Sequence, residues 1–294
     1  MRFDKLMFET PSSDLPKALS DFQGQYRSPL LRIYPSDENY MATFHDFAAD
    51  SVVRQIYSIT NQKMGDLHWL ERELGKAIAK SDELMPTMHL EHIATYISGM
   101  FDYQNRILVD KGTQSALISL DLYAVDGMQR YSFFGLPQYL VRQSDTAYLA
   151  TDLMAEWARH FIAAPEECDV TLLDLMVMEG KALYYLDLVF PGVADHIKLR
   201  YTRQQLEWCE KNEAMLWSYF ISHSLLYEKD FARYHNFIDE APFTNAFRDS
   251  APRTPEYLGL QIVRAYMRKS GATLSELFAN SDSQAILNTS SYKP

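Results

Sequence analysis

Apolar positions along this 294-residue chain recur at two different spacings, and the switch between them divides it into three parts. Up to about residue 88 the spacing is helical. Residues 3–26 predict two short helices, the second opened by "SSDLP" with Pro16 in its first turn, and Pro29 and Pro35 then interrupt the chain. "DENYMATFHDFAADSVVRQIYSI" predicts helix over 37–59. In "DLHWLERELGKAIAK", Leu67, Leu70, Leu74 and Ile78 fall on one face while Glu71, Arg72 and Lys76 face water.

From about 89 to 135 the texture changes. "ATYISGMF", "NRILVDKG" and "SALISLDLYAV" are short, β-branched and aromatic, and the intervening "DYQ" and "GTQ" predict turns, so a small antiparallel sheet of about three strands is expected. Helical spacing returns from about residue 136, with helices predicted over 145–162, 171–189, 202–224 and 255–270 and a last short one in "TLSELFANSDSQAIL". No repeat or low-complexity linker interrupts the series. The expected fold is α+β and mainly helical, one domain over 1–294 with a helical N-terminal part (1–88), a small sheet (89–135) and a helical part (136–294).

Composition narrows the partners. A net charge of -11 lacks the Lys/Arg stripe that binding to phosphate backbones requires, so nucleic acid is not an expected partner. No run of 18 apolar residues occurs, and "MRFDKLMFET" has neither a secretory h-region nor a cleavage site, which leaves open a leader removed beforehand. Cys168 and Cys209 have no metal-site spacing and are expected to stay unpaired.

One carboxylate stands out. In "LLDLMVMEGKALYYLDLVFPG" (172–192), Leu172, Leu175, Met176, Leu183 and Leu186 form an apolar band, and Glu179 lies at i+3 and i+4 from two of its members. Burying an unpaired carboxylate costs several kcal/mol, so Glu179 needs a partner, a proton, a metal or the lip of a cavity. Gly180 beside it costs about 1 kcal/mol against alanine in a helix, and so points to a second backbone pressed close.

Gluzincin peptidases place a glutamate of this kind, often within E-G-x-A, about 20 residues after a helix carrying H-E-x-x-H. "EGKA" (179–182) resembles that second half, and "AEWAR" (155–159) lies at the matching distance upstream with Glu156 in the general-base position. Ala155 and Arg159, however, occupy the two histidine positions. Alanine offers zinc no lone pair and arginine brings a fixed positive charge, and His160 is offset by about 100° around the helix. Arg159 is instead suited to bind Glu179 bidentately, an ion pair standing where a metal would be.

"FDKLMF", "SALISLDLYA", the stretch from "LLDLMVMEGKALYYLDLVFPG" to "WSYFI", "LLYEKDF", "FIDEAPFTNAF", "QIVRAYM" and the terminal "SSYKP" together resemble the gliding motility lipoprotein GldB family of Bacteroidetes. The resemblance runs from about residue 2 to 294 and is strongest over 172–294. It implies an exported lipoprotein held by an acylated N-terminal cysteine and associated with machinery that moves or secretes surface adhesins. It also implies similarity to predicted gluzincin-type zinc proteases, hence a zincin-like domain. The chain departs from that pattern in lacking a lipobox cysteine and both zinc histidines.

Other constellations carry less. His89 and His92 in "HLEH" border the predicted sheet, where they point to opposite faces and read as surface histidines. Asn212 and Glu213, which match the family pattern, and Asp239 and Glu240 in "FIDEAPF" are secondary site candidates beside a capping or turn role.

The expectation is therefore a non-catalytic, zincin-like envelope lipoprotein, accessory to gliding motility or surface-protein secretion. It would face the periplasm from a lipid anchor missing from this chain, use no metal or cofactor, and bind a protein or peptide through the groove of a lost active site around Glu156, Arg159, Glu179 and Gly180. The competing expectations are a metallopeptidase with ligands such as His160, Glu179 and His196, and a purely structural scaffold.

Overall fold

Short polar side chains set most of the helix starts. Asp37 and Asp50 accept backbone N–H groups at the heads of two helices, and Thr171, Thr202 and Thr273 each form a reciprocal capping box with the residue three positions on. The computed structural model describes residues 1–100, 105–124, 137–165 and 170–294. It divides into two units, Met1–Ile78 with His89–Trp157, and Ala79–Met88 with Ala158–Pro294.

The first unit opens with α1 (Phe3–Glu9) and α2 (Leu15–Gln25), followed by α3 (Glu38–Ala49), α4 (Ser51–Met64) and α5 (His68–Leu84), the last of which passes into the second unit from Ala79. The single helix expected over 37–59 is two, because Asp50 turns back to accept from Val52 and Val53 and starts α4 anew. Leu67, Leu70 and Leu74 are buried as the spacing of α5 requires.

Three strands follow: β1 (His92–Tyr96), β2 (Ile107–Asp110) and β3 (Ser115–Ser119), in the order β1-β3-β2. The sheet is mixed rather than wholly antiparallel. The tight turn between β2 and β3 permits only an antiparallel pair, whereas the longer connection out of β1 lets it run parallel to β3, with Ala94 beside Leu117. Every residue of β3 is buried, as suits a central strand. The extended run expected through "SLDLYA" ends at Ser119, where a short 3₁₀ turn (Leu120–Tyr123) carries Asp121 inward. There its carboxylate accepts from the backbone N–H groups of Ser98 and Met100 and from the hydroxyls of Ser98 and Ser119. Phe3, Leu15, Leu19, Phe22, Phe44, Ala94 and Leu117 form one apolar cluster beneath the sheet. Then come α6 (Gln138–Arg142) and α7 (Leu149–Arg159), whose last two residues, Ala158 and Arg159, belong to the second unit.

The second unit is built on α8 (Leu172–Val189). Between it and α10 (Arg203–Ser222) lies one turn, α9 (Asp195–Lys198), and after it come α11 (Phe231–Ile238), α12 (Thr254–Ser270), α13 (Leu274–Ala279) and α14 (Ser283–Ser290). The last predicted helix is again two, because Asp282 caps a fresh start. Helix α12 lies against both α8 and α14 and buries Tyr257, Leu258, Leu260, Ile262 and Val263. A closed ionic corner ties α8, α9 and α12: Arg264 donates in forks to Asp187 and to Asp195 at 2.6–2.8 Å, and Lys198 donates to Asp187 at 2.6 Å.

Candidate functional site around Glu179

The reasoning for a close backbone at Gly180 is met by a second glycine. A Cβ on Gly180 would clash with the backbone carbonyl of Gly259 and stand 3.0 Å from the nitrogen of Leu260. One on Gly259 would stand 2.6 Å from the carbonyl carbon of Met176 and closer still to its oxygen. Two helix backbones thus touch at a pair of residues that have no side chain, and this contact brings the start of α12 up to the middle of α8.

Beside it lies Glu179, half-buried. Arg159, the last residue of α7, donates Nε to Oε1 at 2.9 Å and Nη2 to Oε2 at 2.8 Å, a bidentate fork. Burial alone raises the carboxyl of Glu179. The Arg159 guanidinium reverses this, with Arg253 adding to it, and holds the group below the ordinary glutamate range.

Two residues not singled out from the sequence complete the cluster. Arg253 sits in the left-handed region at φ 47° as the N-cap of α12, and Glu256 stands three positions on in the first turn. Arg253 Nη1 lies 3.3 Å from Glu256 and 3.5 Å from Glu240, and Nη2 donates to the carbonyl of Leu199 at 3.0 Å. The hydroxyl of Tyr201 donates to the backbone oxygen of Arg253 at 3.1 Å, fixing the turn. Burial dominates at Glu256 and, with the nearby Glu179 and Glu240 carboxylates, outweighs the two guanidiniums, pushing it up to about 7. The available signal was "PRTPEY", an arginine and a glutamate at i,i+3 across a Pro-marked helix start, but nothing in its spacing linked it to Glu179.

The other expected residues are distributed as follows. Glu156 is half-buried one turn before Arg159 on α7, and its charge acts on the buried Tyr123. Asn212 donates to the carbonyl of Trp208 on its own helix at 2.8 Å. Glu213 is taken up by two tyrosines: Tyr257 donates to one oxygen at 2.8 Å and Tyr292 to the other at 2.5 Å, with Tyr292 also edge-on to Trp217. Asp239 is exposed at the C-terminal end of α11, and Glu240 alone of the secondary candidates joins the cluster. His89 and His92 are half-buried. Cys209 is buried and unpaired, its thiol pushed up to about 12 by burial, and Cys168 lies outside the described residues.

Zinc does not fit these residues. The fork from Arg159 engages both oxygens of Glu179 and sets a permanent positive charge beside them, which opposes a second cation there, and Ala155 stands at the other histidine position. Among the described residues no three histidine, cysteine or acidic side chains are gathered within reach of one ion, so the ligand set of His160, Glu179 and His196 is not assembled. No helix among them is long and apolar enough to cross a membrane.

A family model for the gliding motility protein GldB matches residues 1–294. The chain belongs to the GldB family. No curated protein and no solved structure matches it. Several segments that carried the GldB resemblance have visible structural work: "SLDLYA" holds the buried Asp121, "EGKA" the Arg159 fork and the glycine contact, and "SSYKP" the tyrosine that meets Glu213.

Proposed function

We propose that this GldB-family protein is a non-catalytic, zincin-like accessory component of a gliding or surface-protein secretion apparatus, lipid-anchored in the cell envelope, and that it binds a protein or peptide partner on the surface around the Arg159–Glu179 pair. The family membership supports the link to gliding motility. The non-catalytic part rests on one observation, the fork from Arg159 onto Glu179. A carboxylate held in that fork is ionised and already paired with a permanent cation, so it serves poorly either as a metal ligand or as a base that must release and take up a proton. What remains is a fixed array of charges partly open to solvent, suited to recognition.

The test combines metal analysis with crosslinking. Protein purified without chelator is expected to hold no stoichiometric zinc and to cleave no peptide. A photo-crosslinker placed at the exposed Glu240 is expected to capture a defined envelope protein in native cells, and a buried control position such as Leu183 is not. Stoichiometric zinc together with peptidase activity that disappears in Glu179→Gln would overturn the reading.

A further inference from the structure

The three-stranded sheet treats its two edges differently. The order β1-β3-β2 makes β1 and β2 the outer strands. Along the outer side of β1 lie the first two residues of the chain. The Met1 ammonium donates to the carbonyl of Ile93 at 2.6 Å, the N–H of Thr95 donates to the carbonyl of Met1 at 2.9 Å, and Arg2 is bridged to Thr95. That edge is covered by the protein itself.

The outer side of β2 is left open. The N–H of Ser119 donates to the carbonyl of Arg106 at 2.9 Å, and these two residues continue the β2–β3 register, so Leu108 and Asp110 also turn their backbone groups towards β3. Ile107 and Val109 therefore turn theirs away from the sheet. Among the described residues no hydrogen bond reaches these four outward groups. The run from Ile107 to Val109 is half-buried and has no charge, proline or bulge of the kind that keeps an edge from pairing.

We infer that β2 pairs with β2 of a second copy of this chain, antiparallel and centred on Leu108, so that two sheets join into one across a two-fold axis. Ile107 then meets Val109 of the other copy. Both are residues whose backbone groups face outward, so the pair exchanges two hydrogen bonds and its symmetry mate two more. Leu108 meets Leu108, and Arg106 stands opposite Asp110 on either side of the axis, two cross-strand pairs of opposite charge. The edge is thus complementary to itself. Sliding one strand by two residues, the smallest step that keeps outward groups together, sets Leu108 against Arg106 or against Asp110 and breaks both matches.

The pairing covers the half-exposed side chains of Ile107, Leu108 and Val109 and gives the outward N–H and C=O groups the partners they lack. Leu108 already packs against the apolar cluster beneath the sheet, so the residue that meets it from the other copy extends that cluster across the axis. All of these residues belong to the first unit, and the pairing stands or falls independently of the peptide-binding reading around Glu179.

The full chain is followed by sedimentation velocity from roughly 1 to 100 μM, and its mass is expected to pass from 34.1 kDa towards twice that value as the concentration rises. Val109→Pro removes an outward N–H while leaving every bond to β3 in place, at a position where an edge strand tolerates proline. It is expected to weaken the dimer about tenfold or more with an unchanged circular dichroism spectrum. Leu108→Cys, treated with oxidised glutathione, is expected to form a disulfide between copies, because Cα atoms directly opposite at this kind of position are about 4.5 Å apart. A chain that stays monomeric throughout the range overturns the inference, including one that instead captures an extended segment of another protein. A dimer indifferent to Val109→Pro overturns the β2 edge as its seat, and a dimer whose Leu108→Cys variant gives no disulfide overturns the register. The measurements on the parent and on Leu108→Cys stand even if the proline variant fails to fold.

Discussion

Replacing Gly259 by alanine tests whether the backbone contact between α8 and α12 is as close as described. The new methyl would stand 2.6 Å from the carbonyl carbon of Met176, where ordinary contact begins at 3.4 Å, so the two helices must part by about 0.8 Å, or more at the oxygen. A radial gap of that size forfeits about a quarter to a half of the dispersion energy of each atom pair across the interface. The pairs concerned belong to Met176, Val177, Leu183, Leu258, Ile262 and Val263, all buried. Neither side can yield locally, because the obstruction is main chain on main chain. Overpacking of this kind sits at the upper end of the usual range, about 3 kcal/mol, and the better helix propensity of alanine returns about 1 kcal/mol, leaving about 2 kcal/mol or more of net destabilisation. Urea unfolding followed by the fluorescence of Trp208 and Trp217 reads this as a midpoint lowered by about 1 M. Gly75, with nothing within 4 Å of its hypothetical Cβ, supplies the opposite control: Gly75→Ala gains up to about 1 kcal/mol. A Gly259→Ala midpoint at or above that of the parent would refute the contact.

Three further outcomes are expected. Lys181 is almost wholly buried with one acceptor, the carbonyl of Asn280 at 2.5 Å, and burial lowers it to about 8. Between about pH 8 and its unfolded value the unfolded chain binds more protons, so stability rises with pH there. Lys181→Met abolishes that rise and stabilises the protein at pH 7 by about 1–2 kcal/mol, as thermal melts across pH 7–10 would show. Arg159→Ala strips Glu179 of its fork and costs about 1–2 kcal/mol at pH 7. Because the folded value of Glu179 lies below the ordinary one, this loss is full above about pH 4.5 and shrinks as the pH falls further, which acid titrations of parent and variant compare directly. Glu213→Ala removes the acceptor shared by Tyr257 and Tyr292, costs about 2–3 kcal/mol and frees Tyr292 from Trp217, so the near-ultraviolet circular dichroism of the tryptophans diminishes; an unaltered spectrum would contradict the clasp.

What could be read from the sequence was what short range decides. The helices over 171–189, 202–224 and 255–270 are found within a residue or two of their expected ends, because threonine and proline at their heads and a dense apolar spacing speak for the same boundaries. The Arg159–Glu179 pair was legible too, since a helix spacing and the need to neutralise a carboxylate identify both partners. Gly180 announced that a backbone would approach, but Gly259 lies 79 positions away and carries no signal of its own in the sequence. The same distance hid Arg253 and Glu256. The sheet was misread as wholly antiparallel because strand direction depends on the path of a connection, which a run such as "ATYISGMF" does not encode. Asp50 and Asp282 were passed over as helix interior, although both are short acidic side chains of the kind that start a helix afresh.

The corner formed by Asp187, Asp195, Lys198 and Arg264 has a bearing on heat. Its two anions and two cations cancel, and each is multiply hydrogen-bonded within the group, so it presents little net field to dissolved salt. The hydration that such charges give up becomes less favourable as temperature rises, while the apolar packing around it gains little more. On warming, then, the junction of α8, α9 and α12 is the part of the second unit whose hold weakens least, and the looser ends of that unit are where melting begins.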